Sequence, residues 1–122
     1  MRSLPVRGAL AVVLSLAVNG LVVWAVTATG AVRPFEPLNY QPVFLLTAAG
    51  AAGATLAYAL VRRVSDRPRR TFAVVVVVAL LLSFVPDVAW LPGDPGATTA
   101  GIAVLMLMHV TTAAICFVVL TR

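Results

Sequence analysis

Four long apolar segments, separated by shorter polar or proline-containing stretches, dominate the pattern of the chain. They cover residues 9–32, 42–61, 71–91 and 98–120. Each is close to the roughly 20 residues that a helix needs to cross the hydrocarbon core of a bilayer. The pattern therefore predicts an all-α protein, folded as a single domain of four transmembrane helices.

Composition places these segments in a bilayer and not in a soluble core. The 122 residues are 61% hydrophobic and 11% charged, with a mean hydropathy of +1.04, whereas a soluble domain is about 25% charged. A secretory signal peptide is an alternative for the first segment, behind Arg2 and Arg7. That segment exceeds the roughly 7 to 15 apolar residues of a signal peptide, and no clear Ala-x-Ala site follows it. We therefore expect it to remain as a helix.

All nine basic residues are arginines, and their positions predict how the chain is threaded. Eight of them lie in the N-terminal lead, in the 62–70 loop or at Arg122, whereas Arg33 alone lies on the other side. Because cytoplasmic loops carry the excess of Arg and Lys, we predict an antiparallel four-helix bundle in the cell membrane with both termini cytoplasmic. Arginines at the ends of apolar segments do not form the basic face that nucleic acids require, so no nucleic-acid partner is expected.

Three polar residues inside the apolar segments fall at nearly the same predicted depth. At a rise of about 1.5 Å per residue, Asn19, Ser83 and His109 lie near the bilayer midplane, and Gly50 reaches the same level. Polar side chains are costly at this depth, which makes them candidates for function or for hydrogen bonds between helices. The sequence therefore predicts a polar layer in the middle of the bundle.

Asp87 is the fourth polar candidate, and it lies nearer the predicted outer surface. Pro86 removes a backbone hydrogen bond and is predicted to kink or end the third helix. Asp87 then either turns into the bundle with Ser83, four residues earlier, or caps backbone amides at the membrane surface. The sequence leaves both interpretations open.

Small residues four apart predict a close helix contact in the second segment. Gly50 and Ala54, like Gly53 and Ala57, share one face, and such faces let another helix approach closely. The contact lies either within the bundle or in a homo-oligomer.

In the fourth segment, Thr98 or Thr99 is the predicted N-cap.

The polar positions also resemble a known pattern. Asn19, the Ser83-x-x-Pro86-Asp87 sequence and the Met108-His109 pair resemble a family of small four-span membrane proteins known only as a domain of unknown function. The resemblance covers nearly the whole chain and implies the same four-helix topology. It implies no activity, because the family has none established.

Two functional interpretations remain for the polar layer. In the first, the protein is structural or binds a partner, and Asn19, Ser83 and His109 cross-link the bundle. In the second, the layer is a small-molecule or proton-linked transport site, in which His109 binds a proton because histidine titrates nearest neutral pH. Asn19 and Ser83 would then contact the ligand. The bilayer is the expected environment in both cases.

Enzyme and metal chemistry have weaker support. Ser83, His109 and Asp87 contain the groups of a hydrolase triad, but no Gly-x-Ser-x-Gly sequence accompanies them. His109, Met106 and Cys116 are weak candidates for a soft metal or haem, since methionine and cysteine at helical spacing usually pack a core. One cysteine and one histidine permit neither an internal disulfide nor a bis-histidine haem in one chain. We therefore expect no cofactor.

Overall fold

The computed structural model describes residues 3–30, 40–89, 93 and 98–121, without the side chains of residues 40 and 86–88. These residues form four helices: α1 (Leu4–Ala28), α2 (Tyr40–Val64), α3 (Pro68–Ala89) and α4 (Thr99–Thr121). All four are long and apolar enough to cross a membrane. For this part of the chain, the prediction of an all-helical protein with four such helices is confirmed.

The first helix is displaced toward the N-terminus from its predicted bounds of 9–32. It begins at Leu4 because proline is tolerated in the first turn, where Pro5 has no hydrogen bond to lose. It ends at Ala28, since Thr29 caps it and Gly30 follows with a φ of +68°. That left-handed conformation suits glycine and terminates helices. The uncharged stretch continues to residue 32, and this concealed the end of the helix.

Local hydrogen bonds lie at the start of α4 and in the loop between α2 and α3. The Gly101 amide donates to the Thr98 hydroxyl oxygen over 3.0 Å, which identifies Thr98 as the N-cap of α4. The α2–α3 loop is held by the Ser65 hydroxyl, which accepts from the Arg67 amide over 3.1 Å and lies 2.7 Å from the Thr71 hydroxyl. Helix α3 does not end at Pro86 but continues to Ala89.

Helix α1 packs against α2 and α4, while α3 packs on the other side of that pair. The Arg7 guanidinium, near the start of α1, donates to the Leu120 carbonyl near the end of α4 over 2.9 Å. That bond satisfies one of the last carbonyls of α4, which have no partner inside the helix.

Glycines of α1, and not those of α2, lie close to a neighbouring helix. A Cβ placed on Gly8 would lie 2.6 Å from the Thr55 methyl group, and one on Gly20 would lie 3.0 Å from the Phe44 ring. By contrast, a Cβ on Gly50 or Gly53 would meet nothing within 4 Å. The predicted close contact through those two glycines is therefore absent within the described part of the chain.

Two apolar clusters fill the bundle. Phe72 is at the centre of the larger one, where its ring lies 4.8 Å from that of Tyr58 and 6.2 Å from that of Phe117, measured between centroids. The smaller cluster contains Val23, Val43, Leu105 and Met108. Along α1, α2 and α4, the polar residues Asn19, Thr47 and Thr112 lie between the two clusters.

The outward surfaces of the helices are apolar. Leu45, Leu56 and Leu82 are 67%, 73% and 65% exposed, on the outer faces of α2 and α3. Large exposed apolar surfaces of this kind are unfavourable in water and mark an interaction with lipid or with another protein. They agree with helices that are solvated by hydrocarbon.

Candidate functional site

Asn19 is the polar centre of the bundle. Its side chain is 2% exposed, and its amide nitrogen donates one hydrogen to the Thr47 hydroxyl and the other to the Thr112 hydroxyl, each over 2.9 Å. Helices α1, α2 and α4 are therefore joined at one residue. The carbonyl oxygen of the same side chain has no hydrogen-bond partner among the described residues.

Thr47 and Thr112 differ from five other threonines that lie in the helices or next to a helix end. Five threonine hydroxyls donate to the backbone carbonyl four residues earlier, namely Thr27, Thr29, Thr55, Thr111 and Thr121. Within the described residues, Thr47 and Thr112 only accept, each from Asn19. Since a hydroxyl can donate as well as accept, each keeps a hydrogen to donate.

A cavity of about 350 Å³ lies beside these side chains, between α2, α3 and α4. Asn19, Thr47, Ser83, His109 and Thr112 contribute its polar wall, and most of its other lining residues are aliphatic or small. Known small-molecule sites are of this kind, with volumes of roughly 300 to 1,000 Å³, apolar walls and a few convergent polar groups. The structure thus places three of the predicted polar residues around one space.

The cavity opens sideways, between α2 and α3. The lining residues that are exposed include Leu46 and Gly50 on α2 and Ala79 on α3. Asn19 and Thr47, in contrast, are buried, with 2% and 7% of their surface exposed. A molecule that reaches the polar wall through this opening first passes between two apolar helix faces.

Ser83 and His109 both line the cavity, but they do not form the start of a catalytic triad. The Ser83 hydroxyl donates to the Leu80 carbonyl over 2.6 Å, so its hydrogen is directed at the backbone and not at a base. The His109 ring lies 6.2 Å from the Phe84 ring between centroids. The side chain of Asp87, the predicted third member, lies outside the described residues.

The weak metal candidates are not gathered in one place. His109 and Cys116 line the cavity, whereas Met106 is not part of its wall. Among the residues that the structure describes, no three His, Cys, Asp or Glu side chains come together as metal ligands would.

Sequence reasoning identified Asn19 but not its two partners. Thr47 and Thr112 each lie three residues from a position already assigned to the polar layer, Gly50 and His109 respectively. Residues three apart on a helix share a face, so Thr47 and Thr112 could have been included in the predicted polar layer. Because threonine is common in apolar helices, these two residues did not stand out in the sequence.

The comparisons with known proteins identify a family but no function. The model of a family described as "Family of unknown function (DUF6069)" matches residues 1–122. Neither a curated protein nor a solved structure matches the chain.

Proposed function

The chain belongs to this family of unknown function, and we propose that it is a membrane protein that binds a neutral lipophilic molecule entering from the bilayer. One observation carries the proposal. Asn19 lines a cavity that opens between two apolar helices, and the carbonyl oxygen of its 2% exposed side chain has no hydrogen-bond partner among the described residues. A buried acceptor left in this way is unfavourable until a ligand or water donates to it.

We propose that the helices cross the cell membrane in antiparallel order with both termini in the cytoplasm. The contacts of Gly8 with Thr55 and of Arg7 with Leu120, near opposite helix ends, support the antiparallel order. The arginine distribution supports the cytoplasmic position of both termini. A chain that carries both Cys116→Ser and Ser65→Cys tests it. A membrane-impermeant thiol reagent should label the introduced thiol only after the cells are opened, and labelling of intact cells would refute the orientation.

The expected ligand is neutral and largely apolar. None of the described residues that line the cavity is Asp, Glu, Lys or Arg, so a charged ligand would meet no permanent opposite charge there. The opening beside Leu46 and Gly50 on α2 and Ala79 on α3 faces the hydrocarbon in the proposed orientation. Entry from the bilayer therefore suits a molecule that already dissolves there.

The hydrogen-bonding groups of the wall favour a ligand that both donates and accepts. Asn19 offers a free acceptor, while the Thr47 and Thr112 hydroxyls each keep a hydrogen to donate. A hydroxyl group satisfies both kinds of partner at once. We therefore propose a lipophilic alcohol as the ligand class, with the hydroxyl at Asn19 and the chain in the opening.

A purely structural role is the competing explanation. The two bonds that Asn19 donates do join three helices, which a structural role accounts for. The cavity and the free acceptor are not needed for that role. The two explanations differ in whether a hydroxyl-bearing ligand stabilises the protein.

Two glycines of α2 offer a matched test. Gly50 lines the cavity and Gly53 does not, yet both are exposed and both have room for a side chain. Gly50→Phe should fill the opening, while Gly53→Phe adds the same ring outside it. Thermal unfolding is measured in detergent with a long-chain primary alcohol, its methyl ether and the matching alkane, since binding to the folded state raises its stability.

The proposal predicts stabilisation by the alcohol in the original chain and in Gly53→Phe, with little effect in Gly50→Phe. The ether should stabilise less than the alcohol because it cannot donate to Asn19. Equal effects of alcohol, ether and alkane would refute the head-group assignment. The absence of any difference between the two glycine variants would refute binding in this cavity.

A further inference from the structure

A second concave surface lies at the other end of α2, where the α2–α3 loop meets the end of α4. It has a volume of about 470 Å³ and is lined by Tyr58, Arg67, Pro68, Arg69, Arg70, Ala73 and Phe117. We name it the arginine depression. None of these residues lines the cavity at Asn19, so the two sites are separate.

The charge of this region is unbalanced. Residues 62–70 contain five arginines and one acidic residue, Asp66. A single carboxylate neutralises at most one of them. Three of the arginines, at positions 67, 69 and 70, surround the depression. Anions are therefore attracted to it, and the N-terminus of α3 at Pro68 adds partial positive charge in the same place.

Aromatic rings pack against arginines in and next to the depression. The Arg69 guanidinium carbon lies 5.6 Å from the centre of the Phe117 ring, which stacks on Phe72. Arg62 lies over the Tyr58 ring at 6.0 Å, but Arg62 itself is outside the depression. Stacking on a ring orients a planar guanidinium and leaves its edge free for hydrogen bonds. Of the three arginines in the depression, Arg69 is therefore held in place by a ring beneath its guanidinium.

We propose that the arginine depression binds the phosphate group of an anionic phospholipid. Guanidinium groups bind phosphate through paired, charge-assisted hydrogen bonds, which suits three arginines around one concave surface. The depression lies where the apolar parts of α3 and α4 meet the basic loop, and Ala73 and Phe117 form its apolar side. A molecule that joins a phosphate to acyl chains matches both sides, whereas a soluble phosphate matches only the arginines.

The test compares two pairs of arginines that differ in position but not in charge. Arg69→Gln with Arg70→Gln removes two charges from the depression, and Arg62→Gln with Arg63→Gln removes two from the neighbouring turn, outside its lining. The chains are placed in nanodiscs of phosphatidylcholine with a minor fraction of phosphatidylglycerol. Native mass spectrometry then counts the phosphatidylglycerol molecules retained per chain, with unfolding temperature as the control for folding.

A specific site predicts at least a fivefold loss of retained phosphatidylglycerol in the 69/70 variant and less than a twofold loss in the 62/63 variant. Equal losses would mean a diffuse attraction to basic residues and would overturn the proposal. Millimolar glycerol phosphate should not displace the lipid. Displacement at that concentration would assign the site to a soluble phosphate and would overturn the lipid assignment. Failure of alcohol binding at Asn19 leaves this outcome unchanged.

Discussion

The two hydrogen bonds donated by Asn19 should be measurable as separate coupling energies. Asn19→Ala removes both, Thr47→Val removes one and Thr112→Val removes the other, each over 2.9 Å in the structure. Hydrogen bonds between membrane helices average about 0.6 kcal/mol and reach about 1.7. Their sum therefore predicts a loss of roughly 1 to 3 kcal/mol for Asn19→Ala, apart from the space that the truncation leaves.

The released threonines limit this cost. Five other threonines donate to the carbonyl four residues earlier, and Thr47 and Thr112 can rotate to do the same when Asn19 is removed. Hydroxyls that find this backbone partner are not left unsatisfied. The expected loss consequently lies in the lower half of the range, at roughly 1 to 2 kcal/mol.

Double-mutant cycles isolate each bond from the space left by truncation. The free energy of unfolding is measured in mixed detergent for the three single variants and for Asn19→Ala combined with each threonine variant. Each pair should show a coupling energy of about 0.6 kcal/mol or more, because the cycle cancels effects common to both backgrounds. Additivity within about 0.3 kcal/mol for both pairs would refute the three-helix junction at Asn19.

Three further variants test the packing around the site. Gly8→Ala should lower the unfolding free energy by about 1 to 3 kcal/mol because its Cβ meets the Thr55 side chain. Thr55→Ala in the same chain should restore most of that loss. A double variant as unstable as Gly8→Ala alone would contradict the contact. Thr98→Ala should lower the unfolding free energy by about 1 kcal/mol because the N-cap hydrogen bond is lost. Thr99→Ala should change it little, and equal losses would contradict the assignment of Thr98 as the N-cap. Phe72→Ala should lower the unfolding free energy by about 3 kcal/mol, and a loss below about 1 kcal/mol would contradict its central position.

The four helices were predictable because each apolar segment has the length of a membrane span. Their ends were less so, since local chemistry decides them. Gly30 in a left-handed conformation ends α1 inside an apolar stretch, and Pro68 begins α3 three residues before the predicted start at 71. The length of an apolar segment contains no information on such positions.

The candidate site was predictable in depth but not in direction. Helical rise places Asn19, Ser83 and His109 at one level, and the structure places all three around one cavity. Depth does not say which helix faces which, so the sequence did not indicate that Thr47 is a partner of Asn19. For the same reason it did not show that Gly50 lies at an opening and not in a helix contact.

Photolabelling in membranes tests the central claim most directly. A long-chain alcohol with a diazirine next to its hydroxyl is irradiated with the protein in lipid vesicles, and the labelled residues are mapped by mass spectrometry. Label should concentrate on cavity-lining residues such as Thr47, Leu80 and Met108, should decrease when unlabelled alcohol is added, and should be lost in Gly50→Phe but kept in Gly53→Phe. Label spread over the outward leucines Leu45, Leu56 and Leu82, unchanged by competitor, would contradict a binding site at Asn19.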